Sequence, residues 1–362
     1  MIIRDRIRSF KPYEWEPSTA QIASKVGLPA EQIIRYDTNV SPYLPTKLLS
    51  KLGSILPKLR VNDYPDASYS DLRQALSRYT GFGTDQITVT NGADEALDMI
   101  AKLFIDPQTE VLISTPTYSM YRIVVEVMGG KVKNVQRKKN FADDIDALLN
   151  SVSEKTRTIF ICSPNNPTAN TTPRKDIIRL LDESDCGIIV DESYFEFCGR
   201  TVADLIEKYD NLIVIRTLSK AFSLAGLRLG YIIASKKTIN QLNIVRPPNS
   251  VGVISLALAQ IALEKQDLMR KNVKKIIAAR EKLRKTLEKI KGLKVYPSEA
   301  NFLLVCFEKI DAEKVYNQLL KQGIVSKSLT DLPGLQNCLR FTVRTPEENN
   351  ILAECLRRIL EK

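Results

Sequence analysis

The chain has 362 residues, 44% of them hydrophobic, with 53 Lys and Arg against 42 Asp and Glu, a formal net charge of +11 and no histidine. This length and apolar content support a sizeable core, either two domains or one large α/β unit with an appendage. The missing histidine excludes Ser-His-Asp hydrolases, Cys-His proteases, HExxH zinc sites and facial-triad iron together, so acid-base work falls to Lys, Asp, Glu or Tyr.

A basic surface suits nucleic acid, an anionic membrane or acidic metabolites. The densest basic run, residues 270–291, has apolar residues at helical spacing and no aromatic residue for base stacking, so it reads as a solvated helix face. The cysteines at 162, 186, 198, 306, 338 and 355 form no CxxC pair, which argues against a metal cluster and for reduced thiols. The first residues lack the apolar core of a signal, and no run approaches the ~18 apolar residues of a membrane span. A cytoplasmic protein with no membrane partner is expected.

In chain order, residues 1–38 read as an irregular arm with one helix over Thr19–Val26. A turn at Asn39-Val40-Ser41-Pro42-Tyr43 leads to a helix around Thr46–Leu56, then the loop Asn62-Asp63-Tyr64-Pro65-Asp66 and a helix over Asp71–Tyr79. The β-branched stretch Gln86–Thr90 runs into Asn91-Gly92-Ala93-Asp94-Glu95 and the apolar helix Ala96–Phe104. Backbone N–H groups at that corner, with the helix dipole behind them, form an anion site suited to a phosphate; a plain N-cap by Asn91 or Asp94 is the competing reading.

Strands then alternate with helices: strand Val111–Ser114, helix Tyr118–Met128, strand Lys131–Val135, helix Asp143–Val152, strand Thr158–Cys162, helix Arg174–Glu183 and strand Gly187–Val190. Strands Leu212–Ile215 and Tyr231–Ala234 follow. Repeated βα units with nearly all-apolar strands predict an α/β fold, a mainly parallel sheet flanked by helices, with ligands at the carboxyl ends of the strands. A long helix over residues 252–291 should connect this large unit, residues 39–251, to a smaller C-terminal α+β unit, residues 292–362.

Three strand ends carry unusual chemistry: residues 163–168 (SPNNPT), residues 191–194 (DESY) and residues 217–220 (TLSK). Lys220 lies among Ala, Phe and Leu residues, where lost solvation lowers an amine's pKa and frees it to attack an aldehyde. Asp191 suits the ring nitrogen of a pyridine aldehyde cofactor, because a nearby carboxylate keeps that nitrogen protonated. Tyr194 and Asn166 offer a hydroxyl and an amide for the ring oxygen, and Tyr118 an aromatic plate for the ring face. Ser219, Arg228 and the corner Gly92, Ala93 and Asp94 would hold its phosphate.

The segments TLSKAFSLAGLRLG, SPNNPTAN, DESY, TNGADE, TPTYSMY, NDYPDAS and CLRFTVRT, from about Tyr13 to the C-terminus, resemble the fold type I pyridoxal-phosphate aminotransferases, nearest to the histidinol-phosphate aminotransferase group. The resemblance implies an aspartate-aminotransferase-like fold and pyridoxal 5'-phosphate as cofactor. It makes Lys220 the Schiff-base lysine and proton carrier, with Asp191 and Tyr194 as its catalytic companions. It also implies a homodimer in which Tyr64 reaches the neighbouring subunit's cofactor phosphate, with Arg340 gripping the substrate's anionic group and Tyr13, Asn39 and Lys327 lining the substrate site. This chain departs from the family's pattern at Val40 (a glutamate), Ala169 (a glycine), Lys327 (an arginine) and Arg344 (a glycine), all of which bear on substrate identity. Arg344, four residues beyond Arg340, is open to two readings, pocket rim or solvated surface. Histidinol phosphate is the expected substrate, in histidine biosynthesis; another amino-acid aminotransferase, aromatic or otherwise, and a phosphothreonine decarboxylase are the alternatives. A nucleic-acid-binding regulator that merely holds the cofactor would need a separate DNA-binding module, and the two units use up the chain.

Overall fold

A computed structural model describes residues 4–8, 10, 13 and 15–361. Within the arm, residues 1–3, 9, 11, 12 and 14 lie outside the described residues. The strands in chain order are β1 (Ile34–Arg35), β2 (Ile87–Thr90), β3 (Glu110–Thr115), β4 (Lys131–Gln136), β5 (Thr156–Cys162), β6 (Gly187–Asp191), β7 (Leu212–Thr217), β8 (Gly230–Ala234), β9 (Leu293–Val295), β10 (Phe302–Phe307), β11 (Ile324–Val325), β12 (Lys327–Ser328) and β13 (Cys338–Thr342).

Seven strands form the main sheet in the order β2-β8-β7-β6-β5-β3-β4, and only β8 runs antiparallel to its neighbours. Their near-continuous Val and Ile content follows from burial on both faces. Leu112, Ile159, Ile188, Val214 and Ile233 pack into one cluster. Their strand neighbours Ile113, Phe160, Ile189, Ile213 and Ile232 pack into the cluster on the opposite face, as the period of two requires. Each such side chain contributes about 1.5–3 kcal/mol of burial, and the sum holds the carboxyl ends of β2, β3, β5, β6 and β7 along one edge. The amino end of β8 joins them, since Gly230 is opposite both Thr90 and Thr217.

The smaller unit is the antiparallel sheet β12-β13-β10-β9. Leu303, Val305, Leu339 and Phe341 pack with Leu352 and Leu356 of the final helix Pro346–Leu360. That helix opens on a capping box, with Thr345 and Glu348 each bonding the other's backbone N–H. The arm does not stay outside this unit: β1 pairs in parallel with β11, and Tyr36 N donates to Val325 O at 2.7 Å.

Two expectations are corrected. The connecting helix is two helices, Val253–Glu264 and Gln266–Leu287, broken at Lys265, whose ψ of 40° leaves the helical range. The first is apolar nearly all round and packs among the helices of the large unit, Thr46–Ile55 and Ser70–Thr80; the second is amphipathic and packs on Pro346–Leu360. Burial on all sides gives way to burial on one, so the chain changes direction without a Gly or Pro to signal it. The cysteines are not all reduced: Cys306 and Cys338, 32 residues apart, are joined in a disulfide. They are directly opposite in the β10–β13 register, a neighbourhood that sequence distance conceals.

No described helix is long and apolar enough to cross a membrane.

Candidate active site

The phosphate-like corner forms where β2 enters the helix Gly92–Phe104. No side chain caps that helix, so its first amides face outward. Gly92 has φ +78°, and a Cβ on it would come within 2.8 Å of Arg228 Nη2. A Cβ on Gly230 would come within 2.6–2.8 Å of the Gly92 backbone and Ala93 N. The two glycines thus let β8 close against the helix start and bring Arg228 over it. Arg228 Nη2 pairs with Asp94 at 2.9 Å, and Tyr118 donates its hydroxyl to the other Asp94 oxygen at 3.1 Å. Ser219, buried beside this corner, accepts from Thr217 Oγ1 at 2.9 Å, and Thr217 is the register partner of Gly230.

Asp191 ends β6 with its carboxylate buried. Burial raises its pKa, against the hydrogen bonds from Ser193 and Tyr121. Tyr121 donates to Oδ2 at 2.7 Å and Ser193 N to Oδ1 at 2.9 Å. Lys220 follows β7 at the neighbouring strand end. Its amine donates to Thr38 O at 3.2 Å and lies 5.9 Å from the centre of the Tyr194 ring. Surrounded by protein and repelled by Arg340 and Arg228, it titrates at about 8 instead of 10.5.

The opposite wall comes from the arm and the small unit. Arg340 of β13 donates from Nη1 to Asn166 Oδ1 at 2.5 Å and from Nη2 to Asp37 O, while its Nε has no partner among the described residues. Burial lowers its pKa. Asn39 donates to the Tyr194 hydroxyl at 3.1 Å, and its backbone N donates to Thr342 Oγ1 at 2.9 Å. Lys327 Nζ donates to Glu16 Oε1 at 3.1 Å, and Tyr13 lies beside the same carboxylate at 3.4 Å. Burial, then Glu16, push the Tyr13 phenol up to about 12.

Three separate strand ends and a remote arm therefore converge on one cleft. A model of the family described as aminotransferase class I and II matches residues 33–356. The chain belongs to that family. It is a pyridoxal-phosphate-dependent aminotransferase. It is 36% identical over 361 residues, 99% of each chain, to the histidinol-phosphate aminotransferase of Caldanaerobacter subterraneus subsp. tengcongensis. The crystal structure of the histidinol-phosphate aminotransferase from Clostridium acetobutylicum superposes with a TM-score of 0.83 at 26% identity, over 90% of this chain and 98% of that one. That of the Sinorhizobium meliloti enzyme, in complex with pyridoxal-5'-phosphate, gives 0.88 at 24% identity, over 99% and 97%, and shows the same fold.

The aminotransferase's own residues fit the cofactor: an uncapped helix start against Gly230, where backbone leaves no room for a Cβ, a buried carboxylate at one strand end and a depressed lysine at the next. Most of the site residues expected from sequence meet in this cleft. Tyr64, expected to serve a neighbouring subunit and not this cleft, lies outside it, 88% exposed on the loop after residues 56–58. Of the two readings of Arg344, the pocket rim is not met: β13 ends at Thr342, and the guanidinium pairs with Glu348 at 2.9 Å at the start of the last helix. Asn166 Oδ1 accepts from Arg340, so a ring oxygen would fall to its amide Nδ2 donor. Tyr121, Thr38 and Glu16 went unnoticed in the sequence. Tyr121 follows Tyr118 by one helical turn, a spacing that could have flagged it; nothing local marks the other two.

Proposed function

We propose that this aminotransferase converts histidinol phosphate and 2-oxoglutarate to imidazole acetol phosphate and glutamate. The observation that carries the reading is Arg340, a buried guanidinium with an unpartnered Nε and, among the described residues, no carboxylate paired to it. It faces Lys327, its register partner across β12 and β13. A buried cation left open in a cleft awaits an anion, and the full-length likeness to a histidinol-phosphate aminotransferase names a substrate that brings one.

When bound, pyridoxal 5'-phosphate supplies an aldehyde for the amino group and a ring that accepts electrons. The amides of Gly92, Ala93 and Asp94 would bind its phosphate with Ser219 and Arg228. Asp191, fixed by Tyr121 and Ser193, would keep a proton on the ring nitrogen. Tyr118 would cover the ring face, and Tyr194 and Asn166 would address the ring oxygen. Lys220 Nζ, neutral above about pH 8, would take the proton from the substrate Cα and return it to the cofactor side. Arg340 would orient the substrate's anion, with Tyr13, Asn39 and Lys327 around it.

The reading includes an arm of residues 1–38, a large unit over 39–251, the helical connection 252–291 and a small unit over 292–362. It also includes a homodimer in the cytoplasm, with Tyr64 reaching the neighbouring cofactor. Of the nine exposed large hydrophobic residues among the described residues, five, Leu44, Leu49, Leu56, Val61 and Tyr64, fall in one stretch of chain, which supports a covered surface there.

One observation favours an ordinary amino-acid substrate: Glu16 already neutralises Lys327, leaving, among the described residues, a single open cation, enough for a carboxylate. Mixing the holoenzyme separately with histidinol phosphate, glutamate, phenylalanine and phosphothreonine, and following cofactor absorbance, tests both. Histidinol phosphate and glutamate should convert the cofactor fastest; a response to phenylalanine without one to histidinol phosphate rejects the proposal.

A further inference from the structure

Lys327 and Arg340 leave the same face of the sheet because they are directly opposite in the β12–β13 pair. Like charges so placed repel. The arm answers with Glu16, which accepts from Lys327 Nζ at 3.1 Å. Burial acts to raise the Glu16 pKa, but Lys327 and Arg340 bring it below the ordinary value, so the carboxyl is an anion at neutral pH. Among the described residues the other acid of this wall, Asp37, is committed elsewhere, accepting two hydrogen bonds from Arg35 at 2.8 and 2.7 Å. Among the described residues the pocket thus presents one open cation, Arg340, and one whose counter-ion comes from a part-exposed segment, with Lys327 and Glu16 side chains 35% and 29% accessible.

We propose that Glu16 is a specificity-determining residue, an exchangeable counter-ion on Lys327. A singly charged carboxylate binds Arg340 and leaves the Glu16–Lys327 pair intact. A phosphate brings a second charge, which displaces Glu16 from Lys327 and moves the arm around it. Glu16 thereby lets one pocket alternate between the phosphorylated and the carboxylate partner of the reaction while never holding two unpaired cations. The inference rests on the reading of Arg340 as the substrate's anion partner.

Trp15, the chain's single tryptophan, is next to Glu16, 84% exposed, with its ring edge-on to Tyr13 at 5.6 Å. Its emission therefore reports displacement of this segment. Wild-type and Glu16→Gln holoenzymes are titrated with inorganic phosphate and, separately, with acetate at pH 8. Phosphate should change Trp15 emission in the wild type, and acetate should not. In Glu16→Gln, phosphate should bind about fivefold tighter, the worth of one partly exposed ion pair, while acetate affinity, read by competition with phosphate, should stay within about twofold. Equal tightening for both anions, unchanged phosphate affinity or a silent Trp15 overturns the proposal. Neither anion is a substrate, so an enzyme inert toward histidinol phosphate that still shows this selectivity loses the substrate assignment and keeps the counter-ion role.

Discussion

Lys220 titrates near 8 because the cleft strips its water and two guanidiniums oppose its charge. The sign is simple: below that pH the amine is protonated and cannot attack a carbonyl, and above it the lone pair is free. Attachment of pyridoxal 5'-phosphate to the cofactor-free protein should accelerate as pH rises through about 8 and level off above it, as stopped-flow absorbance would record. A rate that falls over that interval refutes the assignment. Lys220→Ala should fold with a melting temperature close to wild type and lose transamination by several orders of magnitude, since attachment and proton transfer vanish together. Borohydride reduction of wild-type holoenzyme followed by peptide mapping should find the cofactor on the Lys220 peptide alone. Lys220 and Asp191 were legible in the sequence because each stands at the end of an apolar strand with recognisable neighbours. Thr38 and Glu16 act through partners 182 and 311 residues away, and local pattern carries no trace of such distances.

The meeting of β8 with the helix Gly92–Phe104 decides whether an anion can reach that helix start. A Gly230→Ala methyl would press on the Gly92 backbone and Ala93 N, and such overpacking costs about 1–3 kcal/mol. The variant should melt several degrees lower and bind pyridoxal 5'-phosphate at least tenfold more weakly, measured by equilibrium dialysis; wild-type affinity would show that the cradle is not the phosphate site. Ala169 shows the same economy in reverse. It is buried with φ 63°, a left-handed conformation in which glycine is at ease, and alanine occupies it at a cost of about 1 kcal/mol. Individual strands were readable from their apolar runs, whereas their order, the reversed β8 and the Cys306–Cys338 pairing depend on which runs meet. The break at Lys265 was hidden because helix propensity continues straight through it.

The exposed apolar stretch from Leu44 to Tyr64 places the dimer prediction at the level of the whole molecule. Each of Lys220→Ala and Tyr64→Ala should be severely impaired alone. Refolded together in equal amounts, random pairing makes half the dimers hybrid, each with one intact site, so activity should recover to about a quarter of wild type. If Tyr64 serves its own chain, mixing recovers nothing. The wall that carries Arg340 has a further consequence. Asp37 and Asn39 are bonded to residues 303 positions downstream, so residues made first wait for almost the last before the cleft exists. A growing chain emerging from a ribosome can complete the main sheet, with Lys220 and Asp191 at their strand ends, well before β13 is synthesised. During that interval the lysine would stand beside an unfinished wall, able to meet aldehydes but with no guanidinium to select among amino acids. Binding of pyridoxal 5'-phosphate and recognition of substrate thus become separable events in the birth of each molecule.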